Sequence, residues 1–300
     1  MTAKDKPKVI VILGPTAVGK TALSVKLAQT FGGEIVSADS RQVYKGLDIG
    51  SGKVTQSEMG GVPHHLLDVA DPQKTYTASD FVRNGTEAIQ HILNNGRIPI
   101  IVGGTGFYID ALLGTVALTE VAPNEALRAK LETLSVEELN AQLTSLDPQR
   151  ASSIDAQNSR RLIRAIEIAT AGKPVPAPKK DSPYSAIFIG LSIPIEELRE
   201  KIRTRITSRL EQGMLEEAKK LNREGLTFER MDDLGLEYRY MARHLKGDIS
   251  YDEMCQAIER ESVRYARRQM TWFKRNKEIL WFRPEETEKM IEYIEERVNE

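Results

Sequence analysis

Cysteine is nearly missing from this 300-residue chain: Cys255 is the only one. A single thiol excludes an intramolecular disulfide and a cysteine metal cluster. It suits a reducing compartment, so the chain is expected in the cytoplasm. Histidine is scarce too, at four residues. Two of them, His64 and His65, are adjacent, so their side chains diverge and do not form a chelating pair. No helical His/Glu spacing elsewhere suggests a metal site built by the protein alone. Long apolar runs are absent. The longest near the N-terminus, Val9–Leu13, is too short for a signal-peptide core or a membrane span. Neither sign of charge dominates: 42 Lys and Arg against 43 Asp and Glu leave a net charge of −1. Bulk charge therefore cannot draw the chain to nucleic acid, and any such binding has to come from local basic clusters. What remains, 40% hydrophobic and 28% charged, is an ordinary globular composition. It leaves room for one large domain, or for one domain carrying a smaller insertion.

Five short apolar runs stand out: "KVIVILG" (8–14), "GEIVSAD" (33–39), "RIPIIVGG" (97–104), "AIFIGLSI" (186–193) and "EILWFRP" (278–284). They are rich in β-branched residues and bounded by turn residues, and helical patterns separate the first three. Strands of a parallel sheet buried on both faces read this way. The first run feeds a glycine loop and then a helix predicted over 19–31, stopped by Gly32-Gly33. Thr77 with Asp80 opens another helix as a capping box, and Asn94-Asn95-Gly96 closes it. Residues 115–183 differ in character: helical patterns, a cap at Ser135-x-x-Glu138, no strand signal, and a four-proline linker, "GKPVPAPKKDSP". The expected fold is a three-layer α/β architecture with a parallel sheet. Its core domain would comprise residues 1–114 and 184–300, and a helical insertion, 115–183, would stand on the rim of the sheet. The acidic last residues would close a surface helix.

The stretch "GPTAVGKT", Gly14 to Thr21, fits the phosphate-cradling pattern G-x-x-x-x-G-K-[ST] and has the right context, a strand before it and a helix after it. Gly14 and Gly19 let backbone N–H groups converge on phosphate oxygens, and the helix N-terminus adds its positive dipole end. Lys20 would reach the terminal phosphate and Thr21 would hold Mg²⁺. The pattern specifies a polyphosphate; it does not specify ATP. Asp39 ends the second strand, beside the first strand's loop if the two strands are neighbours, where open α/β sheets bind ligands. A carboxylate there either organises Mg²⁺ or acts as a general base. The third strand's exit, "GGTGFY" (103–108), lets backbone approach the same crevice, with Thr105 offering a hydroxyl.

Two segments carry clustered positive charge. In "SYDEMCQAIERESVRYARRQMTWFKRNK" the capping box Ser250-x-x-Glu253 starts a helix whose apolar stripe is Met254, Ile258, Tyr265, Ala266 and Phe273. Arg260, Arg264, Arg267 and Lys274 fall near another face. From Arg264 to Lys277 there are six Lys or Arg and no acid, with Trp272 and Phe273 interleaved, a pattern that suits nucleic acid. The second segment, "NSRRLIRAIEIATAG", would bury Leu162 and Ile166 and leave Arg160, Arg161 and Arg164 for phosphates.

In their order along the chain, "GPTAVGKT", "SADSRQVYKGLDIGSGK", "PHHLLDV", "GGTGFY", "SRRLIRAIEI" and "VRYARRQMTWF" resemble the tRNA dimethylallyltransferases over nearly the whole length. The resemblance implies a fold like that of P-loop NTPases and a dimethylallyl group moved from its diphosphate to the exocyclic N6 of an adenosine. That adenosine lies just 3′ of the anticodon of a tRNA. Carried over residue by residue, Gly14, Pro15, Thr16, Ala17, Val18, Gly19, Lys20 and Thr21 would bind the diphosphate. Asp39, Ser40, Arg41 and Gln42 would meet the target nucleotide, with Asp39 as general base. Thr105, Arg128 and the run Arg160, Arg161, Leu162, Ile163 and Arg164 would contact tRNA. Mg²⁺ on Thr21, dimethylallyl diphosphate and the anticodon stem-loop of tRNA are the implied cofactor and partners, met by a monomer with no membrane association. The sequence departs from the family at Val18, usually Ser, at Arg41, commonly Met or a similar residue, at "LGLEYRY" in place of G-Y-K-E, and at the opening of "VRYARRQ". The expected catalytic residues persist.

Overall fold

The computed structural model describes residues 6–119, 121–172 and 182–299. Its first strand, β1 (Lys8–Leu13), runs into α1 (Lys20–Phe31), whose C-cap Gly32 adopts the left-handed conformation that ends a helix. There follow β2 (Gly33–Ala38), a short α2 (Gln56–Met59), β3 (His64–His65), α3 (Ala78–Asn94), β4 (Ile98–Gly103) and α4 (Gly106–Leu112). Next come four helices, α5 (Glu125–Leu131), α6 (Val136–Leu146), α7 (Pro148–Ala151) and α8 (Ser159–Thr170). The chain then returns through β5 (Ser185–Leu191) to α9 (Ile195–Glu211), α10 (Met214–Arg223), α11 (Phe228–Leu234), α12 (Leu236–Lys246) and α13 (Tyr251–Phe273). It ends with β6 (Leu280–Phe282) and α14 (Thr287–Asn299). Thr77, Ser135 and Ser250 each form a complete capping box with the acid three residues on. Each such cap is worth about 1 kcal/mol, which fixes where these helices start.

The strands form one sheet in the order β3-β2-β4-β1-β5-β6, parallel throughout. Alternate side chains bury against opposite layers, which is why the strands read as unbroken apolar runs. Ile10, Ile12, Ile100, Ile187 and Ile189 join one core with α1, α9 and the first part of α13. Val9, Val11, Leu13, Ile101 and Phe188 join the other with α3 and α4. One expectation changes: β4 lies between β1 and β2, so Asp39 is not on the strand next to the glycine loop. Register compensates. Leu13 pairs with Gly103 and Gly103 pairs with Ala38, so three strand exits reach the same level side by side. The strand at His64–His65 was not anticipated from "PHHLLDV", because two residues carry no periodicity.

The chain divides into two compact units, Met1–Leu113 with Asp181–Glu300, and Gly114–Lys180. Among the described residues of the second unit all regular structure is helical, around Leu131, Leu139, Leu143, Leu162, Ile163, Ala165 and Ile166. The body of the proline-rich linker, residues 173–181, lies outside the described residues.

Candidate active site

After β1 the backbone turns sharply enough that only glycine fits at position 14. Its φ is 152°, and a Cβ there would lie 2.6 Å from the Leu191 carbonyl oxygen. Gly19 precedes α1 with no side-chain cap, so the first N–H groups of that twelve-residue helix are left for an anion. The individual loop residues divide by chemistry. Pro15 has no N–H to give, and its carbonyl instead accepts from Lys20 Nζ at 2.7 Å. Val18 is fully buried in the core, so its side chain faces away from any ligand and only its backbone is available. Thr21 is exposed in the first helical turn. Lys20 Nζ also donates to Gly14 O at 3.0 Å. Burial lowers its pKa to about 7, nearby Arg205 adds to the effect, and Asp39 partly opposes it.

Asp39 emerges from β2 with Oδ1 accepting from the N–H groups of Arg41 at 2.8 Å and Gln42 at 3.3 Å, which fixes the carboxylate and leaves Oδ2 for a substrate. Thr105, at the exit of β4, binds the exit of β2 twice. Its N–H donates to Ala38 O at 3.2 Å and its Oγ accepts from Ser40 N at the same distance. Tyr265 from α13 shares a hydrogen bond with Thr105, and burial pushes this phenol up to about 12, so it stays protonated. Arg41 donates from Nη1 to Ser40 O, while its buried Nε has no partner among the described residues. Gln42 Nε2 donates to Gly52 O at 3.1 Å.

Several residues that build this crevice were not singled out from the sequence. Gln269 of α13 accepts from Thr16 N at 2.9 Å and donates to Gly104 O at 2.9 Å, clipping the glycine loop to the β4 exit. Arg205 of α9 donates to Thr16 Oγ at 2.6 Å. Burial, with Arg209 beside it, lowers Arg205 to about 10, Glu237 and Asp39 opposing, so it remains a cation at neutral pH. Behind it Arg209 and Glu237 pair in the interior at 3.4 Å. The Arg209 guanidinium occupies the space where a Cβ at Gly52 would fall, 1.4 Å from Nη2. Glu217 accepts from the N–H groups of Asp48, Ile49 and Gly50 and from the Tyr238 hydroxyl, holding the "LDIGSGK" loop in place. A signal for two of these was present. Gln269 interrupts the apolar stripe of α13, and Arg209 interrupts the stripe of Leu198, Ile202 and Ile206 on α9. A polar residue on a buried stripe needs a partner.

On the basic helix Arg260, Arg264, Arg267 and Lys274 are exposed, and the apolar stripe is buried apart from Tyr265, which is only partly so. Arg264 is already paired with Glu261. Phe273 is 3% exposed and belongs to the core, so of the two interleaved aromatics only Trp272 reaches the surface. In the helical unit Arg160 and Arg161 are exposed, Arg161 near Asp155 at 3.8 Å. Leu162 and Ile163, expected to meet tRNA, are 0% and 7% exposed and pack in that unit's own core, which leaves their side chains no surface to offer. Arg128 and Arg164 converge instead on buried Glu167, at 2.9 and 3.0 Å. Burial pushes the Glu167 carboxyl up, but hydrogen bonds from Arg128, Asn124 N–H and Arg164 outweigh it and hold the pKa below its ordinary 4.5.

The family described as IPP transferase matches residues 42–276. The tRNA dimethylallyltransferase 1 of Geotalea daltonii is 44% identical over 266 residues, 89% of this chain and 86% of that protein. The tRNA dimethylallyltransferase of Halalkalibacterium halodurans is 39% identical over 287 residues, 92% and 91% of the two chains. Among solved structures, the full-length tRNA isopentenylpyrophosphate transferase from Bacillus halodurans superposes with a TM-score of 0.73 at 36% identity, covering 98% of this chain and 99% of that one. A eukaryotic dimethylallyltransferase acting on tRNA superposes with a TM-score of 0.75 at 28% identity, over 89% of this chain and 69% of the other. With its glycine loop and strand-end carboxylate at one end of a parallel sheet, the chain belongs to the IPP transferase family.

Proposed function

We propose that the chain transfers a dimethylallyl group from dimethylallyl diphosphate to the exocyclic N6 of the adenosine 3′-adjacent to the anticodon in tRNA, releasing diphosphate. The observation that carries this reading is the convergence of a glycine loop with open helix amides and Lys20, and a free carboxylate oxygen, on strand exits that are level with one another. An allylic diphosphate ionises readily, so catalysis falls mainly on the leaving group. Lys20, Arg205 and the open amides of α1 meet that need as preorganised donors around a developing anion. The adenine amino group is a weak nucleophile. Asp39 Oδ2 accepts its proton as the C–N bond forms, while Oδ1 stays fixed by two backbone donors. The base has to leave its stack to reach this crevice, and Ser40, Arg41, Gln42 and Thr105 line the place it would enter.

The residues present fit a divalent cation that arrives with the diphosphate. Mg²⁺ characteristically takes one or two protein oxygens and completes its shell with phosphate oxygens and water, and exposed Thr21 Oγ offers such an oxygen. Bound there, Mg²⁺ would neutralise charge on the departing diphosphate. Arg160, Arg161, Arg264, Arg267 and Lys274 are assigned to tRNA phosphates. Arg128 and Arg164 would contribute less, because Glu167 already opposes their charge.

Incubation with dimethylallyl diphosphate and unmodified tRNA, followed by digestion to nucleosides, tests the reading. A prenylated adenosine from the position next to the anticodon is expected. Phosphoryl transfer from ATP to a small acceptor, with no prenylated nucleoside, would contradict it.

A further inference from the structure

Phe107 is 39% exposed on the first turn of α4, two residues beyond Thr105. A lone exposed aromatic is ordinary on a protein surface. This one is braced. Its ring meets Trp272 edge to face, with centroids 6.2 Å apart and planes at 86°. Trp272 is itself locked: Nε1 donates to Asp110 Oδ2 at 2.8 Å, and the Arg275 guanidinium lies 3.7 Å from the ring centre. The indole edge sits so close to Gly106 that a Cβ there would fall 2.3 Å from Cδ1. Folding does not need the exposed ring, because Tyr108, Ile109 and Leu112 already anchor α4 in the core. The end of neighbouring α13 and the residues just after it supply positive charge in the run from Arg264 to Lys277, which holds six Lys or Arg and no acid. Asp110, the acid that faces Trp272 and Arg275, is answered by both.

We infer that Phe107 is a stacking platform for an unstacked base of single-stranded RNA, the neighbour of the nucleotide whose base enters at Asp39 and Thr105. The inference rests on the RNA substrate proposed above. Residues 105 and 107 have Cα atoms no more than about 7 Å apart, so the platform is within reach of an adjacent nucleotide. A base that turns out of its stack leaves its neighbour without a partner, and single-stranded loops are held by aromatic side chains that supply one. A preorganised ring does so without an ordering cost on binding. Positive charge from Arg264 to Lys277, beside the platform, complements the RNA backbone.

The test compares Phe107→Ala, Phe107→Leu and Phe107→Tyr for affinity to an anticodon stem-loop RNA across a salt series. Prenyl transfer by the unaltered protein to the same RNA is measured alongside. Alanine and leucine are both expected to weaken binding by about 5- to 150-fold, the range for removing one base–aromatic stack. Tyrosine should bind like the unaltered protein. The slope of log affinity against log salt should not move, because every ion pair with phosphate is retained. Unchanged binding by the alanine variant, or full affinity in the leucine variant, overturns the platform. If the unaltered protein transfers the prenyl group, that failure leaves the proposed function standing; if it does not, both readings fall together.

Discussion

Replacing Lys20 with methionine should remove a proton from the diphosphate-binding equilibrium. In the free protein, burial and Arg205 bring Lys20 to a pKa of about 7. At pH 8 roughly nine-tenths of the molecules then carry a neutral amine. A phosphate charge about 4 Å from Nζ contributes about 4 kcal/mol at an effective dielectric constant of 20, a roughly thousand-fold gain in the amine's affinity for a proton. Binding of inorganic diphosphate should therefore take up about 0.9 proton at pH 8 and about 0.1 at pH 6. Calorimetry in two buffers of different ionisation enthalpy measures this. The difference between unaltered and Lys20→Met protein removes the ligand's own proton uptake. Equal buffer dependence of the two proteins at pH 8, or an uptake that grows toward pH 6, would refute the reasoning. The sign for stability follows from the same shift. A lysine held below its ordinary 10.5 binds fewer protons folded than unfolded, so without ligand the fold gains stability as pH rises from about 7 toward 10.5. Lys20→Met should flatten that rise. Lys20→Ala should lower turnover by about 10²–10³-fold, the typical effect of losing one donor at a developing anion, and near-normal turnover at saturating prenyl diphosphate would remove the loop from the chemistry.

Neutralising Arg264, Arg267 and Lys274 together should weaken tRNA binding and reduce its salt slope by about 0.7–0.9 for each phosphate left without its cation. Arg264 should account for the least because Glu261 already pairs with it, the KM for prenyl diphosphate should barely move, and an unchanged slope would return the helix to a solvated face. Glu167→Gln should destabilise the helical unit by about 1–3 kcal/mol, the usual effect of weakening a buried, charge-assisted network, read by thermal melting. Because the fold holds Glu167 below its ordinary 4.5, that stability is present above the ordinary value and lost as pH falls through the lowered one. The acid transition of the unaltered protein should therefore be steeper than that of the glutamine variant, and parallel transitions would show that Arg128 and Arg164 do not depend on this carboxylate.

Most strands were legible because both faces of the sheet are buried. Val9 to Leu13 and Ile187 to Ile189 alternate between two cores without a polar break, and that appears in sequence as unbroken apolar runs; in Ile35 to Ala38 the one polar residue, Ser37, is small and buried. The His64–His65 strand carried no such signal, and strand order was not readable at all, since nothing local says that β4 separates β1 from β2. Glycine punctuation made the loops at Gly14–Thr21 and Gly103–Tyr108 visible for the same reason that they are tight: a Cβ at Gly14 or Gly103 would meet backbone. The helical contributors were harder. Arg205 reaches Thr16 across 189 positions, and Gln269 reaches it across 253. Their role depends on tertiary packing that sequence spacing cannot express. Leu162 and Ile163 are a different case, in which helical periodicity, which already placed Leu162 inside, and the family resemblance, which put both in a tRNA-contacting run, point in different directions. They stand within an arginine-rich run, yet helical periodicity turns them inward, and burial rather than motif membership decides what they can touch.

Asp39→Asn, followed through a single turnover of prenyl transfer, tests the account most directly. Asparagine keeps the shape of the side chain and can still accept from the Arg41 and Gln42 amides, but it is no base at neutral pH. The chemical step should slow by about 10²–10⁴-fold, the usual loss when a general base is removed. Affinity for tRNA, spread over many phosphates, should change little. The Mg²⁺ dependence of the reaction should be the same in both proteins. A variant restored to normal rate by extra Mg²⁺, or one that transfers the prenyl group unimpaired, would contradict the role given to Asp39.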